Sequence, residues 1–281
     1  MISPTNADTK TIAGFGDEWE RFDQSDLTKA ESEAIFAQYF SVFPWDQLPP
    51  DPTGFDVGCG SGRWAVHVAP RIGSGTLHCI DPSVALDVAR RNLADHQNCE
   101  FHGEGVSEMS LAAQSMDFGY SLGVLHHIPD TAAGIRACVE KLKPGAPFLV
   151  YLYYAFDNRP AWFRTIWKLS DAARRIISRL PHRARYAVSQ VIAFGVYLPL
   201  SRIAALGEKL GRNVDSFPLS AYRNRSVYVL RTDALDRFGT SLERRFTRNE
   251  IESMMAAAGL ERITFRTEDT PFWCAVGYRT A

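Results

Sequence analysis

Three glycines fall at alternate positions in Phe55-Asp56-Val57-Gly58-Cys59-Gly60-Ser61-Gly62-Arg63, where an apolar run gives way to a helical pattern. A strand ending at Val57 must reverse there into a helix beginning near Ser61. Glycine supplies the unusual backbone angles and lacks the Cβ that would keep a ligand off the main chain. The helix start offers free N–H groups and a positive dipole end, suited to a carboxylate, a sugar hydroxyl or a phosphate. Spacing separates these ligands. The dinucleotide fingerprint G-x-G-x-x-G needs glycine at 63, where Arg63 stands, and the phosphate loop needs Lys-Ser or Lys-Thr after its last glycine. A nucleoside without a polyphosphate remains. Asp81 closes the apolar run Thr76-Leu77-His78-Cys79-Ile80, where a second strand would set an acid on ribose hydroxyls. Asp56 would hold an ammonium group, so an adenosine linked to an amino acid satisfies both acids.

Five stretches in order resemble the class I S-adenosylmethionine-dependent methyltransferases. They are Asp56–Gly62 as D-x-G-x-G-x-G; Asp81-Pro82-Ser83; Gly103-Glu104-Gly105-Val106; Ser121-Leu122-Gly123-Val124-Leu125-His126-His127-Ile128-Pro129-Asp130; and Leu142-Lys143-Pro144-Gly145 before an apolar strand. The fourth resembles the ubiquinone and menaquinone methyltransferase-like branch. The likeness covers roughly Asp51 to Tyr154, with a weaker match from Phe246 onward. It implies an α/β fold, a Rossmann-like doubly wound sheet of seven mostly parallel strands with a helical cap inserted after strand 5. It also implies S-adenosylmethionine as cofactor, held by Asp56, Gly58, Cys59, Gly60, Gly62, Asp81, Pro82 and Leu122. Glu104 would accept from the adenine amino group while a backbone N–H of Gly105 or Val106 faces a ring nitrogen. An N-terminal segment would close over the cofactor, with Phe15 and Trp19 as its lid residues.

The expected organisation is a helical lid segment over 1–50, a cofactor-binding core over 51–154, a helical cap over 155–226 and a return of the core over 227–281. Strands alternating with helices require a parallel sheet with right-handed crossovers. Thr247 and Glu250 form a capping box that starts the last helix, and Gly259 stops it. Asp233, just ahead of the return, could face the pocket. A net charge of −1 over 281 residues argues against a generally basic nucleic-acid binder. Five scattered cysteines without a C-x-x-C pair read as reduced thiols of a cytoplasmic protein, and no signal peptide is expected.

His126 and His127 are candidates for a general base, since imidazole titrates near neutrality; packing of the turn is the alternative. A metal is not expected, because adjacent residues point apart and no H-x-x-x-H accompanies them.

The 155–226 segment carries thirteen Lys and Arg against four Asp and Glu. Trp162, Phe163, Ile166, Trp167, Ile176, Ile177 and Leu180 recur near helical spacing with basic residues between them. Internal packing is the preferred expectation; peripheral contact with an anionic inner-membrane face through 159–185 is the alternative. The uncharged run Tyr186–Ser201 is shorter than the ~20 residues that cross a bilayer and is expected to be a buried cap helix. Tyr153, Tyr222, Arg223 and Arg225 are candidates for the substrate, arginine's fork suiting a carboxylate or phosphate. The reading is methyl transfer to a small-molecule or lipid-like, anionic acceptor. An RNA methyltransferase, a NAD(P)-linked oxidoreductase and a non-catalytic cofactor-binding module are the alternatives.

Overall fold

The computed structural model describes residues 6–157, 159–266 and 273–281. The chain divides into two compact units, one formed by Met1–Asp23, Ser32–Ala155 and Leu242–Ala281, the other by Gln24–Glu31 and Phe156–Ser241.

The first unit is built on seven strands: β1 Gly54–Val57, β2 Leu77–Ile80, β3 Cys99–His102, β4 Phe118–Leu122, β5 Pro147–Leu152, β6 Leu260–Phe265 and β7 Trp273–Arg279. Their order is β3-β2-β1-β4-β5-β7-β6. The first five are parallel, and β7 runs antiparallel to both β5 and β6. Strand order reverses between β1 and β4, so the ligand crevice of such a sheet opens beyond their carboxyl ends. Every residue of β1 and β4 is buried, as expected of central strands covered on both faces.

Helices α1 Thr9–Arg21, α2 Lys29–Tyr39, α3 Ala65–Val68, α4 Ala85–Asn92 and α5 Thr131–Lys141 come before Phe156; α6 Ala161–Ile177, α7 His182–Ile192, α8 Leu198–Lys209 and α9 Val227–Gly239 lie within the second unit; and α10 Arg248–Ala257 follows. On one sheet face Phe55, Val57, Ile80, Phe148 and Val150 pack with Ile135 and Val139 of α5 and Ile251 and Met255 of α10. On the other, aromatic residues ahead of β1 cover the sheet: Phe40 meets Tyr120 edge-on at 5.2 Å and Phe43 meets Phe118 at 5.9 Å. At the last helix, the Thr247 hydroxyl accepts from Glu250 N–H while the Glu250 carboxylate accepts from Thr247 N–H, the reciprocal box read from the sequence.

Three expectations need correction. The helix after the glycines begins at Ala65, not Ser61, and is four residues long, so no long helix end faces the loop directly. The second unit extends past 226 to Ser241, which puts Asp233 inside α9 within that unit and not just ahead of the return of the core. Finally, α7, a π-turn at Ala193–Tyr197 and α8 form one continuous helix, His182–Lys209, with only 28% of its most apolar window buried. By length and composition it is sufficient to cross a membrane, so it is not the short buried cap helix expected. Phe272, expected to open the last strand, lies outside the described residues.

In the second unit Arg174, one of the basic residues between the apolar positions of α6, turns inward. Its Nε donates to Asp171 at 2.8 Å and its Nη1 to Thr240 O at 2.9 Å, with both side chains nearly buried. A buried guanidinium that loses its carboxylate keeps its desolvation cost. Asp171→Asn should therefore destabilise the protein by about 3 kcal/mol, read as a lowered midpoint in urea denaturation; an unchanged midpoint would show the pair contributes nothing.

Candidate functional site

The turn from β1 toward α3 has positive φ at Gly58 (74°), Gly60 (53°) and Gly62 (78°). A Cβ on Gly58 would stand 2.3 Å from Val124, and one on Gly60 2.9 Å from Trp19 Nε1. Both backbone angle and space therefore require glycine here. The N–H groups of Gly58 and Cys59 both donate to Ile80 O, at 2.7 and 3.1 Å, so part of the loop is spent on holding β2.

Asp81 fixes the rest. One carboxylate oxygen accepts from Gly60 N–H at 2.9 Å, and the other accepts from Ser83 N–H and Oγ at 2.8 and 2.6 Å. Burial raises its pKa, against the opposing pull of those Ser83 and Gly60 donors. At the end of neighbouring β3, Glu104 accepts from Ser110 N–H at 2.7 Å. Its partial burial is outweighed by that donor together with His102 and Lys141, so its pKa falls below the usual carboxylate value and it stays ionised. Gly105 and Val106 are buried, the latter in the main core, while Pro82 is exposed and Leu122 is buried at the end of β4.

Asp56 is not where an ammonium could reach it. It is fully buried, and neither carboxylate oxygen has a hydrogen-bond partner. It sits at the β1 position paired with Cys79 and Tyr120. Burial raises its pKa well above 3.8; the adjacent Tyr120 hydroxyl opposes the rise and Asp81 adds to it.

Helix α1 lies across these strand ends. Phe15 contacts His127 with ring centroids 5.0 Å apart, a Cβ on Gly16 would come 2.8 Å from Val84, and Trp19 covers Gly60. Its N-terminal approach is tied down by Asn6, which donates to Asp130 O and accepts from Asp130 N–H, at 2.8 and 2.7 Å.

Beyond β4 and β5 lies a second cluster. Both histidines are buried, and contrary to the expectation that neighbours point apart, their rings lie 3.9 Å apart. The turn at Leu125–His127 is a 3₁₀ helix, which brings successive side chains together more closely than an extended chain does. His126 also faces Tyr153 at 3.8 Å. His127 Nδ1 donates to Leu242 O at 2.7 Å, which assigns the proton to Nδ1 and leaves Nε2 as the acceptor nitrogen. His126 is held well below its ordinary pKa by burial, with His127 and Arg245 adding to the effect.

Arg245 was missed by sequence reasoning. Its guanidinium lies 4.9 Å over the Tyr153 ring and donates to Glu243 at 2.8 Å. Nothing in Glu243-Arg244-Arg245 marks it as a site; it arrives because Phe246 N–H bonds Tyr153 O, setting the segment beside the end of β5. The substrate candidates of the second unit are engaged locally: Arg223 donates to Glu208 at 2.8 Å, and Tyr222 packs against Tyr197 at 5.4 Å. Arg225 N–H donates to Tyr222 O.

Residues 55–145 match the family model for a methyltransferase domain. Over 169 residues the chain is 37% identical to a ubiquinone biosynthesis O-methyltransferase of Albidiferax ferrireducens, covering 57% of this chain and 62% of that protein, less than two thirds of its length. A protein of the same name from Serratia proteamaculans is 30% identical over 183 residues, 59% of this chain and 72% of that one. The fold matches human N-acetylserotonin methyltransferase, solved with S-adenosylmethionine, at a TM-score of 0.53 and 13% identity over 94% of this chain and 57% of that one. The chain belongs to the class I S-adenosylmethionine-dependent methyltransferases. The positive-φ glycines and the acids ending β2 and β3 fit that cofactor.

Two outcomes follow. Asp81→Asn should weaken S-adenosylhomocysteine binding at least tenfold, about 1.4 kcal/mol, in calorimetric titration; equal affinity would remove Asp81 from the site. His126 is neutral when folded and binds a proton near pH 6.5 when unfolded, so the stability it contributes is present above 6.5 and lost as pH falls below it. Between pH 7 and 5 the wild-type melting temperature should drop more steeply than that of His126→Phe; parallel curves would contradict the assignment.

Proposed function

We propose that this protein methylates an oxygen of a small, lipid-like acceptor bearing an acidic hydroxyl, using S-adenosylmethionine. The observation that carries this reading is the His126–His127–Tyr153–Arg245 cluster at the ends of β4 and β5, touched by the same helix α1 that reaches the glycine loop. The names of the two O-methyltransferase relatives support oxygen as the acceptor atom and a lipid-like body. They do not favour RNA.

Gly58, Gly60, Gly62, Asp81, Leu122, Glu104, Gly105 and Val106 would hold the cofactor, with α1 and Trp19 covering it. The bound cofactor supplies an electrophilic methyl carbon. The chain's own work is alignment, water exclusion and proton removal. Arg245 and the Tyr153 ring orient an oxygen-bearing acceptor, Arg245 favouring its anionic form. His127 Nε2 takes the hydroxyl proton, with Nδ1 anchored on Leu242 O. Such a base contributes typically ~10²–10⁴-fold, while alignment supplies up to roughly 7–11 kcal/mol in the best cases. His127→Asn should lower kcat by about a hundredfold or more with S-adenosylhomocysteine affinity unchanged. An unaltered kcat would exclude His127 as the base.

Peripheral contact with a lipid surface is supported by a separate observation. On α6, Trp162, Ile166, Leu169 and Ile176 are 48–69% exposed and fall on one helical stripe. Ile203, Leu206 and Leu210 are exposed at the same spacing around α8. Arg164, Lys168, Arg175 and Arg179 flank the α6 stripe and are also exposed. Basic residues beside apolar ones suit an anionic bilayer, each adding about 1 kcal/mol near the surface. The wild type should co-sediment with phosphatidylglycerol vesicles and release them on Ile166→Ser/Leu169→Ser substitution. Equal sedimentation of both forms would overturn this contact.

A further inference from the structure

The edge of the sheet farthest from the β5–β7 pairing carries a group that methyl transfer does not use. Parallel pairing sets His78 of β2 opposite Glu100 of β3 and Ile80 opposite His102. Side chains two apart on a strand share a face, so His78, Glu100 and His102 emerge together beside the last residues of the two strands. His78 Nδ1 lies 3.0 Å from His102 Nε2 and 3.3 Å from Glu100 Oε2. All three ligand atoms lie within 4.8 Å of one another. Among the described residues this is the group of three His, Cys, Asp or Glu side chains that meets such a limit.

These separations have a chemical meaning. Zinc binds imidazole nitrogen at ~2.0–2.1 Å and carboxylate oxygen at ~2.0–2.2 Å in a tetrahedron. The edge of a tetrahedron is 1.63 times the bond length, so neighbouring ligand atoms should stand about 3.3–3.4 Å apart. The two contacts, at 3.0 and 3.3 Å, come close to that edge without rearrangement of the strands. The Glu100 side chain is 60% exposed and the His78 side chain 13% exposed, so an ion can enter from solvent and keep water in its fourth position.

We propose that His78, Glu100 and His102 bind one divalent transition-metal ion of the zinc class. Two imidazoles and a carboxylate suit zinc, cobalt or nickel. The ion would clamp β2 to edge strand β3. His102 O also accepts the Asp81 N–H at 3.1 Å, so the clamp lies directly behind the residue that grips the glycine loop. The site is independent of the methyltransferase reading, because neither the ion nor its ligands enter that reaction.

The test uses the full chain, stripped with chelator and titrated with Zn²⁺ alone by calorimetry, then with Co²⁺ alone by absorption. One ion per chain should bind saturably, and the Co²⁺ spectrum should show d–d bands without thiolate charge transfer. The second readout matters because Cys99 adjoins Glu100 and the other four cysteines are free thiols as well. Zn²⁺ should also raise the melting temperature of the wild type, since an ion that binds only the folded chain stabilises it. His78→Ala/His102→Ala should abolish both effects while retaining S-adenosylhomocysteine binding, which shows that the variant is folded. Absence of saturable binding, a thiolate spectrum, or undiminished binding by the double variant would overturn the proposal. If that double variant fails to fold, Glu100→Gln, at an exposed edge position, takes its place and should weaken Zn²⁺ binding; unchanged affinity there would equally overturn it.

Discussion

The Asp81 carboxylate holds the crevice together. By accepting from Gly60 N–H on one side and from Ser83 on the other, it joins the loop after β1 to the turn after β2. Hydrogen bonds to a charged group contribute about 1.5–3 kcal/mol each when well made, enough to keep a loop of three positive-φ glycines in one shape. The loop's shape in turn sets where Trp19 and Val124 can lie, because both occupy the space that a side chain at Gly60 or Gly58 would fill. This carboxylate thereby ties the loop to the turn after β2.

The proposed acceptor side is organised differently. There the donors and rings come from four separate segments: α1 through Phe15, the 3₁₀ turn through His126 and His127, the chain just past β5 through Tyr153, and the segment before α10 through Arg245. They are stitched by backbone contacts, with Arg244 N–H on His126 O and Phe246 N–H on Tyr153 O. The glycine-loop side is built from neighbouring turns, whereas the proposed acceptor side is built from distant ones. This division suits a fold in which the donor is constant and the acceptor varies with the loops.

The two units bury charge in contrasting ways. In the sheet unit, Asp56 stands behind the glycine loop with Tyr120 and three cysteines near it, and burial favours its protonated form. In the helical unit, Arg174 and Arg185 are buried but satisfied, by Asp171 and by carbonyls of 239–241. Arg164, Arg175 and Arg179, beside the exposed apolar stripe of α6, remain outside. The inward turn of Arg174 is thus part of what defines a basic outer surface.

The alternation of strands and helices, the cofactor class of the loop and the start of the last helix were legible in the chain, and the resemblance supplied the seven-stranded, mostly parallel sheet. Each depends on residues that are neighbours in sequence: glycines at alternate positions, an acid closing an apolar run, Thr247 and Glu250 three apart. The 3₁₀ turn that brings His126 and His127 ring to ring was not legible, because its curvature is set by the contacts of β4 and α5. Nor was the arrival of Arg245 over Tyr153, which a backbone pairing between 153 and 246 decides. His78 and His102 are 24 residues apart and meet only through strand register. The length and exposure of the His182–Lys209 helix likewise depended on a π-turn carrying the helix past Gly195 and Pro199, and on which faces found a partner. Local backbone requirements were written in local residues; side-chain meetings across the sheet and between helices were settled only when the register and packing fixed which atoms come within bonding distance.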